Sequence, residues 1–368
     1  MKEQISRRDF SKLALTGCAA AASVTLAAPN KRSDVPWLRE VQQRPANVPE
    51  DAPKLRSLLL DDQGGQINSL DQWQPRREAL RKWWLEFLGP MPGKRDGEPT
   101  WEVIETDRVT GVLRQRIRYE IEPGIETEAY LLQPEKQSGK LPGVAAFHST
   151  VDHSIRQPAG VEGKPEKFFG LKLAQRGHVT ISPRNYLWPT NDKIEAQQEA
   201  DRFHEHHPKS KGMARMLHDS LVAVDILTSL PNVDATRIGS VGHSLGAKEV
   251  LYLAAFDERV KVTVSSEGGV SSTFSNWYAP WYLGETIRSP DFTHEHHELL
   301  ALAAPRPFLL LGGDSADGDV SWPFIEAALP VYKLHGGTPR LGLFNHKKGH
   351  AVPPEAEKRI YEWFEEYL

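Results

Sequence analysis

Ser244 stands in Gly242-His243-Ser244-Leu245-Gly246, a G-x-S-x-G pentapeptide between an apolar run, 237–241, and an apolar helical pattern, 247–255. Five residues with three fixed positions recur by chance, so the flanks carry the meaning. A buried strand running directly into a helix requires a sharp turn that lifts the serine hydroxyl above a sheet. A side chain at either glycine would collide with the neighbouring strand or helix. At a helix N-terminus the backbone N–H groups, that of Leu245 first, can hold a developing oxyanion. The chemistry on offer is nucleophilic attack on an acyl carbon. Neither a Gly-x-x-x-x-Gly-Lys nor a Gly-x-Gly-x-x-Gly pattern occurs at this turn, so phosphate binding is not expected there.

A serine nucleophile needs a base, and the base needs a group to orient it. His350, in Asn345-His346-Lys347-Lys348-Gly349-His350, follows the last apolar strand pattern, where the order serine, acid, histidine puts the base. His346 is the competitor but sits almost at the strand end. The acid has two stations. Gly312-Gly313-Asp314-Ser315-Ala316-Asp317-Gly318-Asp319 follows the penultimate strand and offers Asp317 or Asp319. Ser265-Ser266-Glu267-Gly268-Gly269 follows the strand after the nucleophile and offers Glu267. Both stations cannot orient one nitrogen, and the choice stays open here.

Other chemistry-bearing residues cluster in two segments at carboxyl ends of strands, 183–202 and 272–288, which could form a lid. Trp188, Trp277 and Trp281 could form a sugar-facing wall, since flat rings cover the apolar faces of pyranoses; packing of an insertion onto the body explains them equally well. Arg184 could give a bidentate contact to a carboxylate or carbonyl. The tetrapeptide His-Glu-His-His occurs twice, at 204–207 and 294–297. Adjacent helical ligands point apart and the H-E-x-x-H spacing is absent, so solvated polar segments near the mouth are expected rather than a metal site. No cofactor is expected.

The elements that must position these residues follow from the periodicity. Leu70, Trp73, Leu80, Trp83, Trp84, Phe87 and Leu88 fall at helical spacing and stop at Gly89-Pro90. Alternating segments at 101–104, 113–121 and 128–132 predict an antiparallel meander. Continuous apolar strands at 144–147, 178–181, 237–241, 260–264, 308–311 and 340–344 alternate with helices at 168–174, 213–230, 247–255, 324–334 and from 355 onward. That pattern predicts a mostly parallel central sheet with helices on both faces and an antiparallel N-terminal edge.

From about Leu113 to the C-terminus the chain resembles the α/β-hydrolase superfamily, in particular dienelactone-hydrolase-like and acetyl-xylan-esterase-like enzymes. The segments Ala255-Phe256-Asp257-Glu258-Arg259-Val260, Ser266-Glu267-Gly268-Gly269 and Leu299-Leu300-Ala301-Leu302-Ala303-Ala304-Pro305-Arg306-Pro307 also look like those of glucuronoyl esterases. In those enzymes the residue matching Glu267 can be the acid. They carry a cysteine and an arginine around the serine, where this chain has His243 and Leu245, a departure that bears on glucuronate binding and not on the fold. The resemblance implies an α/β-hydrolase fold, and a second oxyanion donor just after the third strand of that fold, a backbone N–H of Ser149 or Thr150. It further implies a serine esterase acting on a small-molecule or polysaccharide ester, of the acetyl-xylan or glucuronoyl type. A lactone or dienelactone hydrolase, a peptidase, and an inactive fold used as a carbohydrate-binding module are the alternatives.

The chain has 368 residues and a formal net charge of −4. Arg7 and Arg8 precede a mildly apolar run, 13–28, which reads as a twin-arginine export signal and predicts a periplasmic or secreted protein. Leu15-Thr16-Gly17-Cys18 is a possible lipid-anchor site at Cys18, the chain's one cysteine. Residues 1–28 hold four basic and two acidic side chains, so without them the net charge falls to −6. Such a surface offers nothing to nucleic acid, and no later stretch reaches the roughly 18 apolar residues of a membrane span. Residues 29–68, rich in proline and charge, are expected to be a linker, with a catalytic domain over 69–368.

Overall fold

A computed structural model describes residues 34–61, 63–94, 97–189 and 193–368. Residues 1–28, expected to be an export signal, and Cys18 lie outside the described residues. Among the described residues nine strands form one sheet in the order β1-β2-β3-β5-β4-β6-β7-β8-β9. The strands are β1 (Glu102–Val109), β2 (Val112–Glu122), β3 (Ile125–Pro134), β4 (Leu141–Phe147), β5 (Val179–Pro183), β6 (Val233–His243), β7 (Val260–Ser266), β8 (Phe308–Gly312) and β9 (Leu341–Asn345). β1, β2 and β3 pair antiparallel, β3 meets β5 antiparallel, and every pairing from β5 through β4 to β9 is parallel. The expected mostly parallel sheet with an antiparallel N-terminal edge is the observed one.

Both faces of the parallel strands are buried, which is why their sequences are continuous apolar runs. On β4, Val144 and Ala146 join a cluster with α3 (Phe169–Ala174) and α9 (Pro354–Tyr367). The alternate residues Ala145 and Phe147 join α5 (Gly212–Ser229) and α6 (Leu245–Phe256) on the other face. On that second face α2 (Leu70–Leu88), α7 (His297–Ala303) and α8 (Trp322–Leu334) complete the layer. Ser69 caps α2 by accepting from Gln72 N–H, and Trp84 Nε1 donates to Glu298 at 2.7 Å, fixing α2 to α7.

Three features depart from the expectations. Residues 34–68 belong to the same compact unit as the rest of the described chain. Val35, Leu38 and Val41 are buried beside β9 and α9, the last two on α1 (Leu38–Val41). Arg359 on α9 reaches back to Glu40 at 2.9 Å. Three apolar side chains among prolines and charges are too few to show a period, yet they seal the open edge of that face. The second departure is α4 (Ala196–His206), a helix that begins within 183–202 and runs past its end, where no helix was expected. The third is the second HEHH tetrapeptide: His296 and His297 are buried in the core at the start of α7 and not solvated. No helix among the described residues is long and apolar enough to cross a membrane.

Candidate active site

The carboxyl ends of β6, β7, β8 and β9 are stitched side by side by backbone hydrogen bonds: Ser244 N–H to Ser266 O (2.8 Å), Glu267 N–H to Leu311 O (2.9 Å), and His346 N–H to Gly312 O (2.8 Å). This brings the serine, acid and histidine stations to one edge. Ser244 has φ 60° and ψ −114°, a region that non-glycine residues avoid, between β6 and the first turn of α6. Such strain persists only where the surroundings enforce it. The enforcing contacts are close approaches: a Cβ on Gly242 would lie 2.2 Å from the Gly246 carbonyl, and one on Gly246 would lie 2.7 Å from Phe147 Cβ. The second approach also sets α6 against the end of β4 and the loop that leaves it. Ser244 is half-buried, and its Oγ has no hydrogen-bond partner among the described residues.

His350 Nδ1 lies 3.4 Å from Glu267 Oε2. Its loop is held by Gly349 N–H donating to Gly313 O at 2.7 Å. The His350 ring packs against that of His243, the residue before Ser244, with centroids 4.6 Å apart. Burial pushes His243 well below the usual imidazole range, and its Nδ1 pairs with Ser266 Oγ at 3.0 Å, so a neutral ring supports His350 from beneath. His346 points elsewhere: its Nδ1 accepts from Lys348 N–H at 3.1 Å, and burial lowers its pKa.

Geometry separates the three candidate acids. Glu267, itself at φ 56°, is fully buried and accepts backbone N–H bonds from Gly313 at Oε1 and from Ala316 (2.7 Å) at Oε2, besides meeting His350. Asp317 accepts from Gly269 N–H (2.7 Å), Val270 N–H (2.8 Å) and Ser321 Oγ (2.9 Å). Its carboxylate is used up in holding the turn after Glu267. Asp319 pairs with Asn345 Nδ2 (2.8 Å) and Lys347 Nζ (3.1 Å). Of the three, only Glu267 contacts His350.

The loop after β4 carries Ser149 and Thr150. Ser149 N–H already donates to Gln157 Oε1 at 3.0 Å, whereas exposed Thr150 has no backbone N–H partner among the described residues. The Leu245 N–H is in the first turn of α6, where amides lack intrahelical acceptors.

The proposed substrate-contacting residues divide. Trp277 is fully buried, donates Nε1 to Gly269 O and lies under Lys248 Nζ at 3.9 Å, so it belongs to the core and not to a sugar-facing wall. Trp188 is nearly buried edge-on to His148 (4.6 Å), and Arg184 forms an ion pair with Glu128 at 3.0 Å. Both line a cavity of about 760 Å³ to which Ser244 does not contribute. Half-buried Trp281 lines a separate cavity of about 450 Å³ with Tyr278, Asn276 and Gln197. In the two HEHH segments the imidazoles are engaged individually, His207 with Glu122 (2.8 Å), His294 with Glu298 (2.8 Å), His296 with Tyr252 Oη (3.0 Å) and His297 with Arg56 O (3.1 Å). No group of three metal-ligating side chains occurs among the described residues.

Residues 127–279 match the dienelactone hydrolase family, and the overall fold is shared with solved structures. The chain has an α/β-hydrolase fold. A glucuronoyl esterase from Solibacter usitatus superposes with a TM-score of 0.66 at 16% identity, covering 87% of this chain and 98% of that one. In sequence, the 4-O-methyl-glucuronoyl methylesterase of Phanerochaete carnosa is 20% identical over 88% of this chain and 83% of its own length. The Bacillus subtilis protein YtaP, by name a hydrolase, is 26% identical over 51% of this chain, and the match spans 63% of that relative.

Two buried charges, Lys248 and Glu249 on α6, were not singled out from the sequence. Burial lowers the Lys248 pKa to about 7 and raises that of Glu249 well above the carboxylate range. The available signal was their position: two adjacent charges inside the otherwise apolar Leu245–Phe256 helix, one turn after Ser244.

Proposed function

We propose that the protein is an exported serine esterase that cleaves carbohydrate-linked carboxylic esters through an acyl-enzyme. Ser244 Oγ attacks the ester carbonyl as His350 Nε2 takes its proton. Glu267 accepts from Nδ1–H, holding that tautomer and stabilising the imidazolium. The tetrahedral oxyanion rests on Leu245 N–H and one N–H of the loop after β4. Collapse expels the alcohol, which takes the proton from His350; water, deprotonated by the same ring, then releases the acid and restores Ser244. The observation that carries this reading is the Glu267–His350 contact beside a serine at positive φ. Trp281 and Tyr278, beside the amides of Asn276 and Gln197, line a cavity whose rings and amides suit a pyranose. The esters of the glucuronoyl and acetyl-xylan enzymes it resembles define the substrates to try.

The test is labelling with a fluorophosphonate and turnover of p-nitrophenyl acetate, followed by acetylated xylan, a glucuronate methyl ester and lactones. Labelling and turnover are expected in the wild type and absent in Ser244→Ala with the fold intact. An unlabelled wild type, or a Ser244→Ala variant that still turns over ester, overturns the reading; sugar binding that persists without either activity would mark a binding module.

A further inference from the structure

The loop that could supply the second oxyanion donor is held by a chain of hydrogen bonds that runs back to the nucleophile helix. Asn185 N–H donates to His148 Nε2 at 3.2 Å, so that nitrogen carries the lone pair and the neutral ring carries its proton on Nδ1. Nδ1 in turn stands 2.8 Å from Ser149 O, the acceptor that this tautomer requires. Behind Asn185, its Nδ2 donates to Glu249 Oε1 at 3.0 Å and its Oδ1 accepts from Leu187 N–H at 3.0 Å. Glu249 is buried, and desolvation raises its carboxyl well above the usual carboxylate range, which favours the neutral form; Oε1 is the acceptor for Asn185. Trp188 closes the other side of the His148 ring.

We infer that His148, set by Asn185 and Glu249, is a positioning residue for the oxyanion hole, and that the second donor is the N–H of Thr150 and not that of Ser149. The inference rests on the esterase reading above. The Ser149 carbonyl and the Thr150 N–H belong to one planar peptide, so the bond from His148 that fixes the first fixes the direction of the second. The same bond polarises the peptide and strengthens its N–H as a donor. Ser149 N–H, tied to Gln157, is taken. Glu249 sits on the helix whose first amide is the other donor, so one element references both halves of the hole.

The experiment measures kcat and KM for p-nitrophenyl acetate per fluorophosphonate-labelled site, with affinity for a trifluoromethyl ketone transition-state analogue. The variants are His148→Ala, Glu249→Gln and Glu249→Leu. Normalising to labelled sites removes losses from misfolding. Deleting an oxyanion donor outright costs roughly 100- to 1,000-fold, so a donor left in place but loosely aimed should cost about 10- to 100-fold. His148→Ala should therefore lose about that factor in kcat with KM within about twofold, and lose analogue affinity in parallel. Glu249→Gln, which keeps the carbonyl acceptor, should stay within about threefold of wild type, and Glu249→Leu should fall well below it. Turnover per site in His148→Ala within about twofold of wild type, a change confined to KM, or equal impairment in Glu249→Gln and Glu249→Leu overturns the inference. Failure of the esterase reading looks different: the wild type would then go unlabelled, or Ser244→Ala would retain turnover.

Discussion

Replacing Glu267 by glutamine should disable turnover while replacing Asp317 by asparagine should mainly weaken the fold. Both Glu267 oxygens face donors: Oε1 meets Gly313 N–H, and Oε2 meets Ala316 N–H, Asp317 N–H (3.4 Å) and His350 Nδ1. A glutamine has one acceptor oxygen, so its NH₂ must oppose either Gly313 N–H or the Ala316 and His350 pair. With the oxygen on Gly313, the NH₂ faces His350. That arrangement favours the tautomer with its proton on Nε2, which cannot accept from Ser244. A wrong tautomer in such a triad costs about 10³- to 10⁴-fold in kcat, or about 4–5.5 kcal/mol. Losing charge-assisted bonds to buried amides should also cost about 2–3 kcal/mol of stability. Asp317→Asn meets the same donor conflict at Gly269 and Val270 N–H and should lose a similar stability, but with less than about 10-fold in kcat per labelled site. Asp319→Asn, facing Asn345 and Lys347, should change kcat by less than about threefold. The assay is steady-state hydrolysis of p-nitrophenyl acetate normalised to labelled sites, with urea unfolding in parallel. An Asp317→Asn enzyme as slow as Glu267→Gln, or a Glu267→Gln enzyme of near wild-type kcat, refutes the assignment of the acid.

Lys248, with a folded pKa lowered to about 7 by burial, binds fewer protons folded than unfolded between pH 7 and about 10.5, so stability rises with pH across that window. Urea unfolding of wild type against Lys248→Met at pH 7, 8 and 9 should show the wild type gaining up to about 1.4 kcal/mol per pH unit relative to the variant; parallel lines would mean that the ammonium is not desolvated. Leu38→Ala should cost about 2–4 kcal/mol in the same assay, because Leu38 is buried against the sheet; a cost under about 0.5 kcal/mol would mean that the segment is dispensable to the fold.

The elbow could be read from the sequence because every determinant is local: an apolar strand, glycines where two backbones touch, and a helix that starts at once. The sheet was readable for a related reason, since strands covered on both faces must be continuously apolar. The acid was not, because Glu267 and Asp317 sit fifty positions apart on loops that converge, and both are carboxylates facing backbone amides. Which one meets His350 depends on the direction of those amides, and no residue type encodes that. Trp277 misled for a similar reason: an indole in an aromatic-rich insertion can stack on a sugar or on a buried ammonium, and Lys248, some thirty residues earlier, decides the matter.

Lys248 and Glu249 show what the fold asks of the helix behind the nucleophile. Successive residues on a helix point about 100° apart, so neighbours one turn after Ser244 reach different sides of the site. Lys248 Nζ donates to Gly268 O in the turn that follows Glu267, while Glu249 Oε1 accepts from Asn185 in the loop after β5. Neither could hold its partner at this depth carrying an ordinary charge without a cost of several kcal/mol. Burial moves both the lysine and the carboxyl toward neutrality, which lets each act as a hydrogen-bonding group. The helix that presents the serine thus also grips the acid's turn on one side and the Asn185 loop on the other. A shift of α6 would displace both, which is a physical reason for two polar side chains to persist in an apolar helix.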